Sequence, residues 1–289
     1  MSSTTITGGT ERQLAVLGSP VTHSLSPRLH AAAYGVLGLP WEYRAVDVSG
    51  GGLAEFLDSC DESWRGLSLT MPLKREAIPL LDTLDRVATL TGVVNTVLLD
   101  GEIRRGFNTD VAGMTRAFQS HQVERLDHVV ILGGGATAAS ALVAAAGLGA
   151  ASARFWLRTP AKATALQQLA AELDVDVQLW AFADATADVG HPDAVISTIP
   201  NGSVVNVMFP EDVRRRSILF DVAYDPWPTT LAQTWTQVDA PVISGVEMLI
   251  GQALVQVRIF VTGDPQAELP DEQRVLEAMR NSIGPNPQA

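Results

Sequence analysis

The chain of 289 residues predicts an α/β protein of two domains, one with a mostly parallel sheet and one a Rossmann domain. Three observations carry this. Short apolar runs of strand length alternate with helical patterns along the whole chain, the signature of helices packed on parallel strands. Strand-like Val129–Leu132 runs directly into Gly133-Gly134-Gly135 and a small-residue helix. At about 150 residues per domain, the length suits two domains.

The elements follow in order. LAVLG (Leu14–Gly18) is a short apolar strand. Ser26–Leu37 reads as a helix with Ser26 as N-cap and Pro27 at the first helical position. Trp41–Val48 alternates like a strand, and Leu53–Ser59 looks helical. Gly66–Thr70 is a strand stopped by Pro72, and Arg75–Asp85 reads as a helix carrying Pro79. Asp100-Gly101 separates two strand-like runs, the signal of a type I′ hairpin. A helix runs from Val111 to about Ser120. Strand Val129–Leu132 and helix Ala138–Gly147 come next, then strands Ala153–Leu157, Val177–Phe182, Ala194–Thr198 and Ile218–Val222. A short strand closes at Ser244. Helices Val246–Val261 and Asp271–Ile283 precede a GPNPQA tail. Residues 1–110, completed by 245–289, are expected to form one domain and 111–244 the other.

Composition excludes several classes. The net charge is −12, which disfavours nucleic acid and anionic membranes as partners. A single cysteine, Cys60, permits no intrachain disulfide and no cysteine-based zinc site; it reads as a small core residue on a helix, and a reducing cytoplasmic setting fits. Val129–Ala153 carries no charged residue, but its three consecutive glycines, Gly133–Gly135, and many alanines argue for strand, turn and helix rather than a membrane span. The opening MSSTTITGGTER lacks the basic and apolar regions of a signal peptide and reads as a loose polar lead-in.

The glycine turn has the form G-x-G-x-x-A. Gly133 would make the tight turn, Gly135 would admit a pyrophosphate, and Ala138 would let the helix approach the sheet, with phosphates at the helix N-terminus. An NAD site carries a carboxylate about 20 residues on. This chain has Arg158, Thr159 and Lys162 there, which match a 2′-phosphate and favour NADP. The alternatives are a packing turn and a solvated basic patch.

Four polar clusters sit where strands end: His23–Pro27, Ser68–Lys74, Gly92–Thr96 and Gly106–Asp110. Gathered there, their hydroxyls, amide, ammonium and carboxylate suit a small polyhydroxylated substrate. Each also has a plain structural reading: Ser26 as a cap, Asn95 as a turn residue, Lys74 as a surface charge, Asp110 as the cap of the helix from Val111. Gln252 lies on a helix with a long apolar stripe and needs a partner if buried, either substrate or main chain.

HSLSP, LTMPLK, VVNT, NTD followed by Gly113, GGGAT, FDVAYDPWPT and GVEMLIGQA occur in the order seen in shikimate dehydrogenases. The chain resembles that family from about Leu14 to Gly263. The resemblance implies reversible reduction of 3-dehydroshikimate to shikimate with NADPH. It also implies a substrate domain built from the N-terminal part plus C-terminal helices, and a Rossmann NADP domain between them. Lys74 and Asp110 would be the catalytic pair, meeting the nicotinamide across a gap between the domains. Ser24, Ser26, Thr70, Lys74, Asn95, Asp110 and Gln252 would hold the substrate, with Tyr224 nearby. Gly133, Gly134, Gly135, Ala136 and Thr137 would hold the pyrophosphate and Arg158, Thr159 and Lys162 the adenosine phosphate. Thr198, Val222, Gly245 and Met248 would line the nicotinamide half. His23 is expected only as a neighbour of the serines. Ser68 and Leu157 stand where many members have Asn, and Val261 where many have Trp. Ser68 is expected to lose or reroute a hydrogen bond at a strand edge. A quinate/shikimate dehydrogenase and a catalytically inactive NADP- or shikimate-binding sensor are the rival readings. A homodimer is compatible with the sequence.

Overall fold

The computed structural model describes residues 10–182, 189–200 and 207–284. The start of the polar lead-in and the last residues of the tail lie outside them. The chain divides into two compact units, one of Met1–Thr109 with Leu249–Ala289 and one of Asp110–Met248.

The first unit contains β1 (Arg12–Gly18), α1 (Ser26–Leu37), β2 (Trp41–Asp47), α2 (Leu53–Asp58) and β3 (Trp64–Leu69). It continues with β4 (Thr83–Leu84), α3 (Arg86–Thr91), β5 (Thr96–Asp100) and β6 (Ile103–Phe107). The sheet order is β2-β1-β3-β5-β6-β4. The β2, β1 and β3 strands run parallel, and β5 lies antiparallel between β3 and β6. Ala15, Leu17, Leu67, Leu69 and Leu73 form its core on one face with Leu53 of α2. On the C-terminal side, α9 (Gly245–Thr262) belongs to this unit from Leu249 onward, and α10 (Glu272–Ser282) packs on α1.

The second unit contains α4 (Asp110–Ser120), β7 (His128–Leu132), α5 (Ala136–Gly147), β8 (Ser152–Leu157), α6 (Thr164–Glu172) and β9 (Asp176–Ala181). After these come β10 (Ala194–Ser197), α7 (Glu211–Arg216), β11 (Ile218–Asp221), α8 (Thr230–Thr236) and β12 (Val242–Ser244). All six strands are parallel in the order β12-β11-β10-β7-β8-β9. Counted from β7, this is the 3-2-1-4-5-6 order of the dinucleotide-binding fold, with its switch point between β7 and β10. Trp156, Phe209 and Trp235 anchor its core beside Val130, Leu132 and Val195.

Several expectations are corrected. Residues 75–85 form no α-helix. They make turns, a short 3₁₀ segment at Ile78–Leu80, and then β4, which pairs with β6. Pro79 brings no N–H to a helix, while Asp82 N bonds Arg104 O at 2.9 Å, so the open edge of β6 captures the segment. The next helix, α3, begins instead at the cap Asp85, whose carboxylate accepts from Ala88 N. Ser26 is not the N-cap of α1: Leu25 holds that position, and the Ser24 hydroxyl accepts from Ser26 N at 3.3 Å. Helix α5 starts two residues early, at Ala136, with Gly135 as its cap. The hairpin turns on Gly101 and Glu102, because Asp100 pairs with Ile103. Only Gly101 has positive φ, the II′ pattern rather than I′. Cys60 lies just past α2; its thiol donates to Phe56 O, and burial pushes its pKa up to about 11.

Helices α6, α7 and α8 carry no sequence expectation, yet parallel strands need such crossovers. Leu166, Leu169 and Ala170 supply the buried stripe of α6, and Thr229 caps α8 by accepting from Ala232 N at 3.0 Å. One helix among the described residues, α9, is long and apolar enough to cross a membrane, and 78% of that span is buried within the protein.

Candidate active site

In the second unit, β7 delivers the glycine turn to the switch point. Thr198, the first residue after β10, donates to Leu132 O from both its N–H (2.9 Å) and its hydroxyl (2.8 Å), which ties the ends of the two strands together. Gly133 has φ +108°, and a Cβ there would lie 2.5 Å from Thr198 Oγ1; only glycine fits. At Gly134 a Cβ would meet Leu157 Cδ2 at 2.8 Å, so Leu157 packs beneath the turn. Gly135 differs. Its φ of −83° and ψ of −166° suit any residue, and a Cβ there would touch nothing. Neither the backbone nor the packing asks for glycine, so the space it leaves is a cradle open to a ligand. No side chain caps α5, which leaves the N–H groups of its first turn, on Ala136, Thr137 and Ala138, without a side-chain acceptor. Ala138 is fully buried against the sheet.

Arg158 and Thr159 follow β8 directly, and Lys162 ends the Pro160–Lys162 turn. All three are exposed, and neither cation is paired with a carboxylate among the described residues. Backbone dipoles, an open cradle and two available cations fit a dinucleotide carrying an extra phosphate.

At the far side of the same sheet, β11 and β12 end together. Val222 N bonds Ser197 O at 3.0 Å, and Gly245 N bonds Ala223 O at 3.2 Å. A Cβ at Gly245 would fall 2.0 Å from Val222 O, so glycine is required for this approach. Met248 is buried one turn into α9. Buried Asp221 accepts from Thr229 Oγ1 (2.7 Å) and Ala223 N (3.3 Å); burial raises its pKa, partly offset by these bonds. Tyr224 is half-buried, and its phenol is raised first by burial and then by neighbouring Asp225. Asp110 is buried as the first residue of α4 rather than as its cap.

In the first unit, polar side chains collect where β1, β3 and β5 meet. Leu69 N bonds Asn95 O at 2.8 Å, Thr70 N bonds Leu17 O at 2.8 Å and Val94 N bonds Lys74 O at 2.9 Å. These pairings bring the backbones of Thr70, Lys74 and Asn95 into one neighbourhood. Lys74 and Thr70 are half-buried. Asn95 is buried; its Nδ2 donates to Thr109 Oγ1 at 2.9 Å and to Gln252 Oε1 at 3.2 Å, and its Oδ1 accepts from Thr109 N at 2.8 Å. Gln252 also donates to Leu249 O at 3.3 Å. Asn95 and Gln252, expected separately, therefore share one cluster. Ser24 and Ser26 sit together at the start of α1, and His23 beside them is exposed.

Thr109 joins this cluster although sequence reasoning gave it no role; its signal was its place inside N-T-D. Four further buried residues were missed: His30, Tyr43, Gln256 and Thr96. The visible hints were a second glutamine one turn beyond Gln252 and the place of Thr96 inside V-V-N-T. Ser68 lies within β3 and bonds Tyr43 and Gln256, so the bond expected to be lost is rerouted inward.

Comparison with known proteins agrees with this architecture. A family model described as the shikimate dehydrogenase substrate binding domain matches residues 16–97. The shikimate dehydrogenase (NADP(+)) of Methanothermobacter thermautotrophicus is 30% identical over 284 residues, spanning 94% of this chain and 99% of its own length. That of Thermus thermophilus is 33% identical, with 94% and 99% covered. Among solved structures, Mycobacterium tuberculosis shikimate dehydrogenase superposes with a TM-score of 0.79 at 32% identity, covering 93% of this chain and 98% of its own. The Thermus thermophilus enzyme in complex with NADP(H) and shikimate does so with a TM-score of 0.76 at 29% identity, covering 94% and 99%. A strand-to-helix glycine turn at the switch point, a buried amide cluster beside Lys74 and an end-to-end likeness to these enzymes lead to one conclusion: this chain belongs to the shikimate dehydrogenase family.

Proposed function

We infer that this chain is an NADP-dependent shikimate dehydrogenase that interconverts 3-dehydroshikimate and shikimate. The observation that carries the reading is the end-to-end likeness: both units, not one domain, are matched by shikimate dehydrogenases over 94% of the chain. The first unit then serves as the substrate domain and the second as the nucleotide domain.

Bound NADPH supplies a hydride to the ketone carbon. The chain supplies the rest. The Lys74 ammonium delivers a proton to the ketone oxygen and stabilises the negative charge that develops there. Asp110 orients that lysine and a substrate hydroxyl. Ser24 and Ser26 grip the substrate carboxylate, Thr70, Asn95 and Gln252 take its hydroxyls, and Tyr224 lies beside it. The Gly133–Thr137 turn holds the pyrophosphate. Arg158, Thr159 and Lys162 take the adenosine phosphate, and Thr198, Val222, Gly245 and Met248 line the nicotinamide. The same reading makes the protein a cytoplasmic enzyme of aromatic amino acid synthesis, without nucleic-acid or membrane partners, in keeping with its charge of −12. A homodimer is compatible with it.

Purified protein mixed with NADP and shikimate is expected to generate NADPH absorbance. Lys74→Ala should lower kcat at least about 100-fold, with a far smaller change in KM, because the lysine acts mostly in the transition state. Absence of NADPH would overturn the activity. A Lys74→Ala enzyme with near-parental kcat would remove the lysine from the mechanism. Better turnover of quinate with NAD would assign the chain to the quinate-using branch.

A further inference from the structure

Beneath the Asn95–Thr109–Gln252 cluster lies a second polar layer. Gln256, on α9 one turn past Gln252, is buried, and all four valences of its carboxamide are used. Its Nε2 donates to Asn95 O at 3.3 Å and to Thr96 Oγ1 at 3.0 Å. Its Oε1 meets His30 Nε2 at 3.2 Å and Ser68 Oγ at 2.9 Å.

Because Asn95 O can only accept, the amide cannot be turned the other way. Its oxygen therefore faces His30 and Ser68, and both must donate to it. His30 then carries its proton on Nε2 and accepts at Nδ1 from the Tyr34 hydroxyl, 3.2 Å away. Ser68 in turn accepts from the Tyr43 hydroxyl at 2.6 Å. The Tyr43 ring stacks on His30 with centroids 3.9 Å apart. On the other side, Thr96 accepts from Gln256 and so turns its own proton to Asn95 Oδ1, at 2.9 Å. With Thr109 N also donating to that oxygen, the Asn95 amide is fixed with Oδ1 inward and Nδ2 toward Thr109 Oγ1 and Gln252.

We propose that the Tyr43–Ser68–Gln256–His30 layer is a positioning device for substrate recognition. Acting through Gln256, it sets Asn95 as the donor to Gln252 Oε1, so that Gln252 keeps its oxygen on Asn95 and Thr109 and recognises a substrate hydroxyl through its Nε2. The proposal rests on the shikimate dehydrogenase reading. None of the four residues touches the reacting atoms. Burial keeps His30 neutral, with its pKa lowered to about 3, so the bond pattern does not change across neutral pH.

The test is a pair of variants read by steady-state kinetics. Gln256→Glu preserves size and the acceptor toward His30 and Ser68 but replaces the amide donors to Asn95 O and Thr96. It should raise KM for shikimate about tenfold, the scale of one or two lost hydrogen bonds, with KM for NADP unchanged within about twofold. Ser68→Ala releases Gln256 on one side only and should raise KM for shikimate roughly threefold with the same selectivity. A purely architectural role would lower Tm while leaving the two KM values in their parental ratio. Folded variants whose KM for shikimate stays within about twofold of the parent overturn the proposal. If Gln256→Glu does not fold, Ser68→Ala decides alone. A parent that never oxidises shikimate sinks the enzymatic reading and this proposal with it; an active parent with indifferent variants sinks only the proposal.

Discussion

The open cradle at Gly135 separates stability from cofactor binding, and a single methyl tests it. In Gly135→Ala the new Cβ meets nothing within 4 Å, and the backbone angles of −83° and −166° are ordinary for alanine. Removing a glycine from the unfolded chain stabilises by about 0.4–1 kcal/mol, and alanine is a poorer N-cap than glycine by a comparable amount. The free protein should keep its stability within about 1 kcal/mol. The methyl would occupy space that the pyrophosphate needs for its approach to the N-terminus of α5, so the Kd for NADP should rise at least about tenfold. Gly133→Ala behaves oppositely. Its φ of +108° and a 2.5 Å contact with Thr198 Oγ1 should cost the free protein about 2 kcal/mol or more. Thermal unfolding with and without NADP reads both effects. At NADP about 100 times the parental Kd the parent gains about 2.7 kcal/mol and a tenfold weaker variant about 1.4 kcal/mol. That gap corresponds to roughly 3–5 °C less ligand-induced shift for Gly135→Ala. A Gly135→Ala protein that binds NADP as the parent does would refute the assignment of this turn to the pyrophosphate.

Other outcomes follow from the same geometry. Arg158→Ala should raise KM for NADP about tenfold and leave KM for NAD nearly unchanged, since only the former carries the 2′-phosphate; equal effects on both would remove Arg158 from that role. Trp235→Ala should destabilise the second unit by about 3–5 kcal/mol in urea unfolding, because the ring is fully buried and its Nε1 bonds Ser217 O at 3.1 Å; a loss below about 1 kcal/mol would contradict the packing. His30 predicts an acid limb. The unfolded chain takes up a proton near pH 6.5, whereas the folded imidazole resists it down to about 3. Its contribution is therefore complete above pH 6.5 and falls by about 1.4 kcal/mol per pH unit below it. Urea midpoints between pH 7 and pH 5 should drop more steeply for the parent than for His30→Asn, and identical slopes would show that His30 is not buried neutral.

Local order was legible in the chain. The alternation of apolar runs and helical patterns is a property of neighbours along the sequence, so every strand of both sheets except β4 was readable by itself. The glycine turn was readable for the same reason: strand, turn and helix start are contiguous, and Arg158, Thr159 and Lys162 lie one strand further on. The segments that misled were those whose fate depends on distant partners. Residues 75–85 have helical composition, but the open edge of β6 and Pro79 turn them into a 3₁₀ segment and a short strand. Glu211–Arg216 and Thr230–Thr236 are too short for a periodic signal to stand out, and the requirement for crossovers between parallel strands makes them helices.

Residue chemistry along the chain thus determined the α/β class, the glycine turn between β7 and α5 and the cationic cluster that follows β8. Tertiary structure alone decided which polar side chains meet. Asn95 directly precedes β5, Thr109 follows β6, and Gln252 and Gln256 lie on α9; only sheet pairing and helix docking bring them within hydrogen-bond distance. A hydrogen bond acts over about 3 Å, whereas a sequence pattern reports only neighbours along the chain. For that reason the amide that holds Asn95 in place could be seen in the fold and not in the letters.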